Sequence, residues 1–295
     1  MRLAALFTTP AVEPGQRPRD NELDLFGMTH PGKVRTENQD HFLLCTVHPQ
    51  VVIHATSLPN ANGLPLLGQR LATVMMVADG VGGSVGGADA SRLATETITR
   101  YVSSSLHCYH AAGSSNETEF LDALRQAAFA AHAAVRADAG TRPDGRNRAT
   151  TLTLGIVVWP WLYVVQVGDS RCYCYGDKHL RQVSRDQTVA QDLVDQGVLT
   201  QATASSSPLR HVLSSAIGSE DPMPEVTRVD IRKRGTVILV CSDGLTKHVS
   251  NDEIAEHFRT MRSAEQACRA LVELALQRGG TDNITVVVGR ALPAR

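Results

Sequence analysis

Five short runs of aliphatic and β-branched residues, each cut off by turn-forming residues, constrain the fold of this chain most. Thr73–Ala78 (TVMMVA) runs straight into Asp79-Gly80, and Thr236–Cys241 (TVILVC) runs into Ser242-Asp243-Gly244. Thr151–Val158 (TLTLGIVV) and Leu162–Val167 (LYVVQV) flank Pro160, and Ile284–Gly289 (ITVVVG) comes last. Runs this short, bounded by Gly, Pro and Asp, read as strands. The Pro160 turn suits a hairpin. Between them lie helical patterns. Leu121, Leu124, Ala128, Ala131 and Val135 form one apolar stripe. Ser250 with Glu253, and Ser263 with Gln266, resemble capping boxes, and Gly279-Gly280 is a stop signal. Short connections favour antiparallel pairing. The expectation is an α+β fold with helices on the faces of the sheets.

The balance of charge removes several functions. In 295 residues, 29 Lys and Arg stand against 30 Asp and Glu, a net charge of -1, with 4% aromatic residues. That gives no electrostatic case for nucleic acid or an anionic membrane as partner, and little for base stacking. No apolar run reaches the roughly 20 residues that span a bilayer. The first residues are too weakly apolar for a secretory core and read as a loose tail. None of the six cysteines makes a CxxC pair, which excludes a zinc ribbon or redox motif and favours a reducing, cytoplasmic setting. Cys172 and Cys174 would share one strand face as small core residues. Residues 1–24 are expected to be a loosely ordered tail. No linker interrupts 25–295, which reads as one domain. No sustained heptad or broad apolar patch is evident, so a monomer is expected.

Four acidic groups stand at strand edges. Asp79 and Asp243 follow strands in VADG and CSDG, Asp282 precedes the last strand in GTDN, and Asp40 precedes Phe42–Leu44 in ENQD. Strand ends of one core could converge these carboxylates. Clustered like charges repel in a low-dielectric site, and a bound hard dication such as Mg²⁺ or Mn²⁺ relieves them. Gly80 and Gly244 would let backbone carbonyls approach such an ion. Strand-final Asp-Gly is equally an ordinary turn, and spacing alone leaves both readings open. Asp169, in Gly168-Asp169-Ser170-Arg171, reads as a turn or an arginine partner. A nucleotide loop at 80–87 is disfavoured, because the GxGxxG spacing fails at Val85 and no Walker pattern occurs.

Taken in order, the motifs resemble the PP2C-type (PPM family) metal-dependent serine/threonine protein phosphatases of the compact bacterial kind. The matching stretches are Arg35–Asp40 (RTENQD), Val77–Gly83 (VADGVGG), Ala149–Leu152 (ATTL), Val167–Arg171 (VGDSR), Val183–Thr188 (VSRDQT), Cys241–Leu245 (CSDGL) and Gly280–Thr285 (GTDNIT). Together they cover about residues 26–290. The resemblance implies an α-β-β-α sandwich: two central antiparallel sheets flanked by helices, with a metal cleft at one end. It implies that Asp79 bridges two Mn²⁺ or Mg²⁺ ions, that the Gly80 carbonyl binds one, and that Asp243 and Asp282 bind the other. Asp40 would act through water, Arg35 would hold the substrate phosphate, and Asn283 would orient the Asp282 loop. Asp40, Asp79, Asp243 and Asp282 are thus the catalytic candidates. The implied reaction is hydrolysis of phosphoserine and phosphothreonine in proteins by a metal-activated water, without a phosphoenzyme. A phosphorylated protein, a Ser/Thr kinase or the targets of one would be the partner. A non-catalytic regulatory domain on the same fold is the alternative.

The chain departs from the family pattern in places. Val81 stands where many eukaryotic relatives carry a histidine proposed as general acid, and valine has no proton to give. Ala149 and Gln187 replace a frequent Gly and His. A third metal would need an extra aspartate before ATTL. Asp144 is preferred over Asp138, while a plain loop aspartate in TRPDGRNR serves the sequence as well. Residues 190–226 match the family's flap, expected to be mobile beside the cleft and to influence substrate choice. The insert 47–72 has no assigned role. Cys241 has no basic neighbour to activate it and reads as core.

Overall fold

A run such as TVMMVA is apolar at every position only when both faces of its strand are covered. In the computed structural model, strand β3 (Ala72–Val81) meets that condition. Successive side chains point to opposite faces. Val74 and Met76 therefore enter one core, while Met75 and Val77 enter another. Strand β10 (Val237–Cys241) behaves alike: Val237, Leu239 and Cys241 face one layer, and Ile238 and Val240 face the core shared with Met75 and Val77. The structure describes residues 16–50, 52–53, 67–81, 86–105, 109, 112, 116–140 and 148–293.

Two antiparallel sheets result. The first runs β1 (Leu23–His30), β11 (Ile284–Ala291), β10, β7 (Arg171–Gly176), β8 (His179–Gln182). The second runs β2 (Asp40–Val47), β3, β5 (Leu152–Val158), β6 (Trp161–Val167), β9 (Glu225–Asp230), with β4 (Ala149–Thr150) pairing the end of β3. Helices α1 (Gly86–Ser104) and α2 (Glu117–Gly140) cover the second sheet, where Phe120 meets Tyr163 edge-on at 4.8 Å. Such a ring pair adds about 0.5–1.5 kcal/mol beyond its area. After the flap elements described below and α5 (Asp243–Thr246), helices α6 (Asn251–Thr260) and α7 (Ala264–Gln277) cover the first sheet through Ile254, Phe258, Leu271 and Ala275. The fold is α+β, an α-β-β-α sandwich.

Local signals act as expected. Ser250 and Glu253 form a complete capping box, and the Ser263 hydroxyl accepts from Gln266 N–H. Gly279 and Gly280 end α7 with positive φ. Cys172 and Cys174 share the inter-sheet core. Among the described residues, no helix is long and apolar enough to cross a membrane.

Three boundaries differ from the sequence reading. Order begins before residue 25: β1 starts at Leu23, Arg70 bonds the Pro18 carbonyl at 2.8 Å, and Arg17 bonds the Leu71 carbonyl at 2.9 Å. The segment 190–226 holds three short helical pieces, α3 (Val189–Asp195), α4 (Gln201–Ser206) and a 3-10 turn (Pro208–His211), joined by irregular chain. Thr188 and Thr200 cap the two helices, and the short polar sequences between gave no periodicity to read. Finally, Asp243 does not sit in a loop after β10 but opens α5. Asp144 and most of the 47–72 insert lie outside the described residues.

Candidate active site

Strand register brings the first two carboxylates together. β2 begins at Asp40, which pairs directly with Asp79 near the end of β3. Asp79 is anchored through its backbone: its N–H donates to Thr151 Oγ1 at 3.0 Å, and its carbonyl accepts from Thr151 N–H at 2.9 Å and Thr150 Oγ1 at 2.8 Å. The ATTL motif is thus a clamp that fixes the end of β3. Gly80 follows where a Cβ would lie 2.4 Å from the Gly87 carbonyl oxygen, so the start of α1 passes against it.

The second pair comes from the first sheet. Asp243 opens α5, and Gly244 lies so close to the 282–283 loop that a Cβ would fall 1.9 Å from the Asn283 carbonyl oxygen. Asn283 is the tie. Its side chain accepts from Gln39 N–H at 2.9 Å and donates to the Pro31 and Glu37 carbonyls, both at 2.9 Å. One buried amide therefore holds the Asp282 loop to the loop that carries Arg35.

These elements enclose an open cavity of about 290 Å³ lined by Asp79, Gly80, Asp169, Asp243, Asp282 and Arg35 among others. Asp40 is 3% exposed beside it. Its Oδ2 accepts from Ser242 and Thr285 hydroxyls, both at 2.7 Å, while its Oδ1 is buried with no donor. Burial raises the Asp40 carboxyl to about 6, against the two hydroxyls, with the Asp243 charge adding to the rise. Burial, then Asp40, Asp243, Asp169 and Asp282, push Asp79 well above the usual carboxylate range. Asp169 is raised to about 8 by burial and by Asp243 and Asp186. Asp282 runs the other way. Burial opposes its charge, but hydrogen bonds from Arg35 and Lys247 outweigh that and hold it low.

All four aspartates singled out in the sequence, with Gly80 and Arg35, meet at this end of the sandwich. Arg35 does not point free into the cavity: its Nε and Nη2 grip Asp282 Oδ1 and Oδ2 at 2.8 and 3.0 Å. Two residues were missed. Asp169 reads as an ordinary turn because the carboxylates it meets, Asp79, Asp243 and Asp282, lie far from it in sequence and no local spacing shows them. Lys247 reads as an unremarkable surface lysine. It sits four residues after Asp243, and that spacing would have carried a signal had Asp243 been read as helical. Gln187 proves structural, its amide joining Gly168 N–H at 3.0 Å to the Met223 carbonyl at 2.8 Å. Burial raises the Cys241 thiol to about 12, so it is core and no nucleophile.

The donor set suits a hard dication: carboxylates and a carbonyl, with an orphaned buried oxygen on Asp40 that such an ion or its water would satisfy. Among the described residues, no group of three or more His, Cys, Asp or Glu side chains is placed so that it could hold a metal ion as it stands. The ammonium of Lys247 bridges Asp243 and Asp282 instead.

Comparison with known proteins points the same way. Residues 67–277 match the Protein phosphatase 2C family. The serine/threonine protein phosphatase PstP of Mycobacterium tuberculosis is 36% identical over 217 residues, which are 74% of this chain and 40% of that protein. The chain thus spans well under half of that relative's length. The serine/threonine phosphatase Stp of Listeria monocytogenes is 29% identical over 73% of this chain and 83% of its own. A crystal structure of the PstP catalytic domain in complex with two manganese ions superposes with a TM-score of 0.70 at 28% identity, covering 92% of this chain and 99% of that one. The strand-end aspartates, the sandwich that gathers them and a family match across most of the sequence agree: this chain belongs to the Protein phosphatase 2C family.

Proposed function

We propose that this chain is a metal-dependent protein phosphatase that hydrolyses phosphoserine and phosphothreonine. The observation that carries the reading is the gathering of Asp40, Asp79, Asp169, Asp243 and Asp282 around one open cavity, with Asp40 Oδ1 buried and without a donor. Repulsion of this size is a cost that a fold keeps only for use. The residues that would hold two Mn²⁺ or Mg²⁺ ions are Asp79, the Gly80 carbonyl, Asp243 and Asp282, with Asp40 reaching through water. Asp169 is the described residue best placed for a third, and Asp144 remains the sequence candidate. Bound there, such ions neutralise charge and acidify water.

The protein's own groups supply the rest. Asp40 is fixed by two hydroxyls on Oδ2, which leaves its buried Oδ1 without a donor. Arg35 offers a planar fork at the cavity wall, suited to the oxygens of a phosphate as it is to those of Asp282. Val81 at the rim gives no acid, and burial, then Lys247 and Arg210, lower the pKa of the His211 imidazole in the wall. On this reading the leaving serine or threonine oxygen draws its proton from water.

Phosphate release from a phosphothreonine peptide in Mn²⁺ is expected. It should stop on adding EDTA and fall by roughly 10²–10³-fold in Asp243→Asn. Rates indifferent to both would remove the phosphatase reading. Calorimetry showing no divalent binding would instead favour the alternative, a regulatory domain without catalysis.

A further inference from the structure

Lys247 occupies a place that the two-ion reading gives to a metal. Its Nζ lies 2.6 Å from Asp243 Oδ2 and 2.7 Å from Asp282 Oδ2. Both carboxylates are largely buried, with side-chain exposures of 17% and 19%. The ammonium is held there by covalent geometry: α5 carries Asp243, and Lys247 follows four residues later on the same face. Asp282 is further held by Arg35, which grips both of its oxygens.

From this geometry we infer that Lys247 is the resident counter-cation of the Asp243–Asp282 pair, holding the site together without metal and competing with a dication for it. The inference rests on the phosphatase reading, because it takes Asp243 and Asp282 as metal ligands. Three observations support it. An ammonium this close to both oxygens takes the position from which an ion would bridge them. Its flexible four-carbon stem lets it leave without moving the backbone. It also has somewhere to go: Lys247 lines a second open cavity of about 290 Å³, beside the first, with Gln201, Ser205 and His211 of the flap. Metal binding at this pair is therefore an exchange of one cation for another. Its apparent affinity is set by a residue that is not a ligand. Lys247 is a positioning residue, and its displacement places a positive charge at the flap side of the cleft.

The test is calorimetric titration of Mn²⁺ into metal-stripped wild type, Lys247→Met, Lys247→Gln, Lys247→Arg and Asp243→Asn, with the melting temperature of each metal-stripped protein. The two neutral variants should bind Mn²⁺ at this pair about ten-fold more tightly. Their metal-stripped forms should melt about 2–4 °C lower than wild type. Lys247→Arg should stay close to wild type in both. Equal or weaker Mn²⁺ binding in both neutral variants, with Asp243→Asn still losing a site, would overturn the counter-cation role and leave the phosphatase reading intact. Absence of Mn²⁺ binding in every protein, wild type included, would overturn both.

Discussion

The two ends of the first sheet treat charge in opposite ways. At the end where β1 starts, three acidic residues at alternating positions each have an arginine: Asp20 with Arg70, Glu22 with Arg234 at 3.0 Å, and Asp24 with Arg290 at 2.9 Å. Asp24 also accepts from Ala264 N–H at 3.0 Å and so caps α7. At the end where β11 starts, Asp40, Asp79, Asp169, Asp243 and Asp282 face one another with Arg35 and Lys247. One end is arranged for stability. The other carries repulsion that Arg35 and Lys247 offset only at Asp282 and Asp243, and on the proposed reading the remainder serves the binding of an added cation. A sandwich tolerates this because its three cores lie in the layers and do not depend on the site.

The largest expected effect is on activity. Asp79→Asn should lower phosphate release by roughly 10²–10³-fold, whereas Asp24→Asn should leave it within about two-fold when assayed well below the melting temperature, as expected for a site beyond the reach of charge screening.

Next comes pH. In the metal-stripped protein, Asp40 and Asp169 have folded values raised to about 6 and about 8. Ionising them is harder folded than unfolded. Their contribution is full below the ordinary carboxylate range and is lost as pH rises through about 6 and then about 8. At the far end the sign reverses. Hydrogen bonds from Arg234 and from the Arg19 backbone lower Glu22, so its contribution is present above its ordinary value of 4.5 and is lost as pH falls through and below that value. Melting curves from pH 4 to pH 9 on metal-stripped wild type, Asp169→Asn and Glu22→Gln separate the two. Asp169→Asn should flatten the alkaline decline, and a decline of unchanged slope would break the comparison.

Stability of single variants gives a smaller contrast. Asp24→Asn should cost about 1–2 kcal/mol, since it loosens a charged pair and a helix cap. Asp169→Asn at pH 9 should instead stabilise the metal-stripped protein, because burial and Asp243 disfavour the ionised carboxylate. Urea melts report both, and destabilisation of the same size at both positions would show that the site end is not strained. The smallest effect is Glu22→Gln, whose melting temperature should differ slightly from wild type at pH 7 and converge with it as pH falls below the ordinary glutamate value.

Much of this was readable from the chain. Strands covered on both faces leave continuous apolar runs, so β3, β5, β6, β10 and β11 stood out. The edge strand β9 did not: EVTRVD is mostly exposed and resembles a polar segment. The hairpin of β7 and β8 was only partly visible, because β8 is short and half-exposed. Asp79, Asp243 and Asp282 carried a local mark in Asp-Gly after a strand and Asp-Asn before one, which the ordered family motifs turned into a site, and the glycines are required by backbone contacts at Gly80 and Gly244. Asp169 and Lys247 were not legible, since their importance comes from partners far away in sequence or from a helix hidden behind a strand ending.

The central claim is that the crowded aspartates exist to bind dications. Thermal melting of metal-stripped wild type and Asp79→Asn across a Mn²⁺ titration at pH 8 tests it directly. The account predicts that Mn²⁺ raises the melting temperature of wild type in a saturable way, and that Asp79→Asn loses most of that rise while starting from an equal or higher metal-free value. A wild type unmoved by Mn²⁺, or an Asp79→Asn variant that shows the full rise, would contradict it.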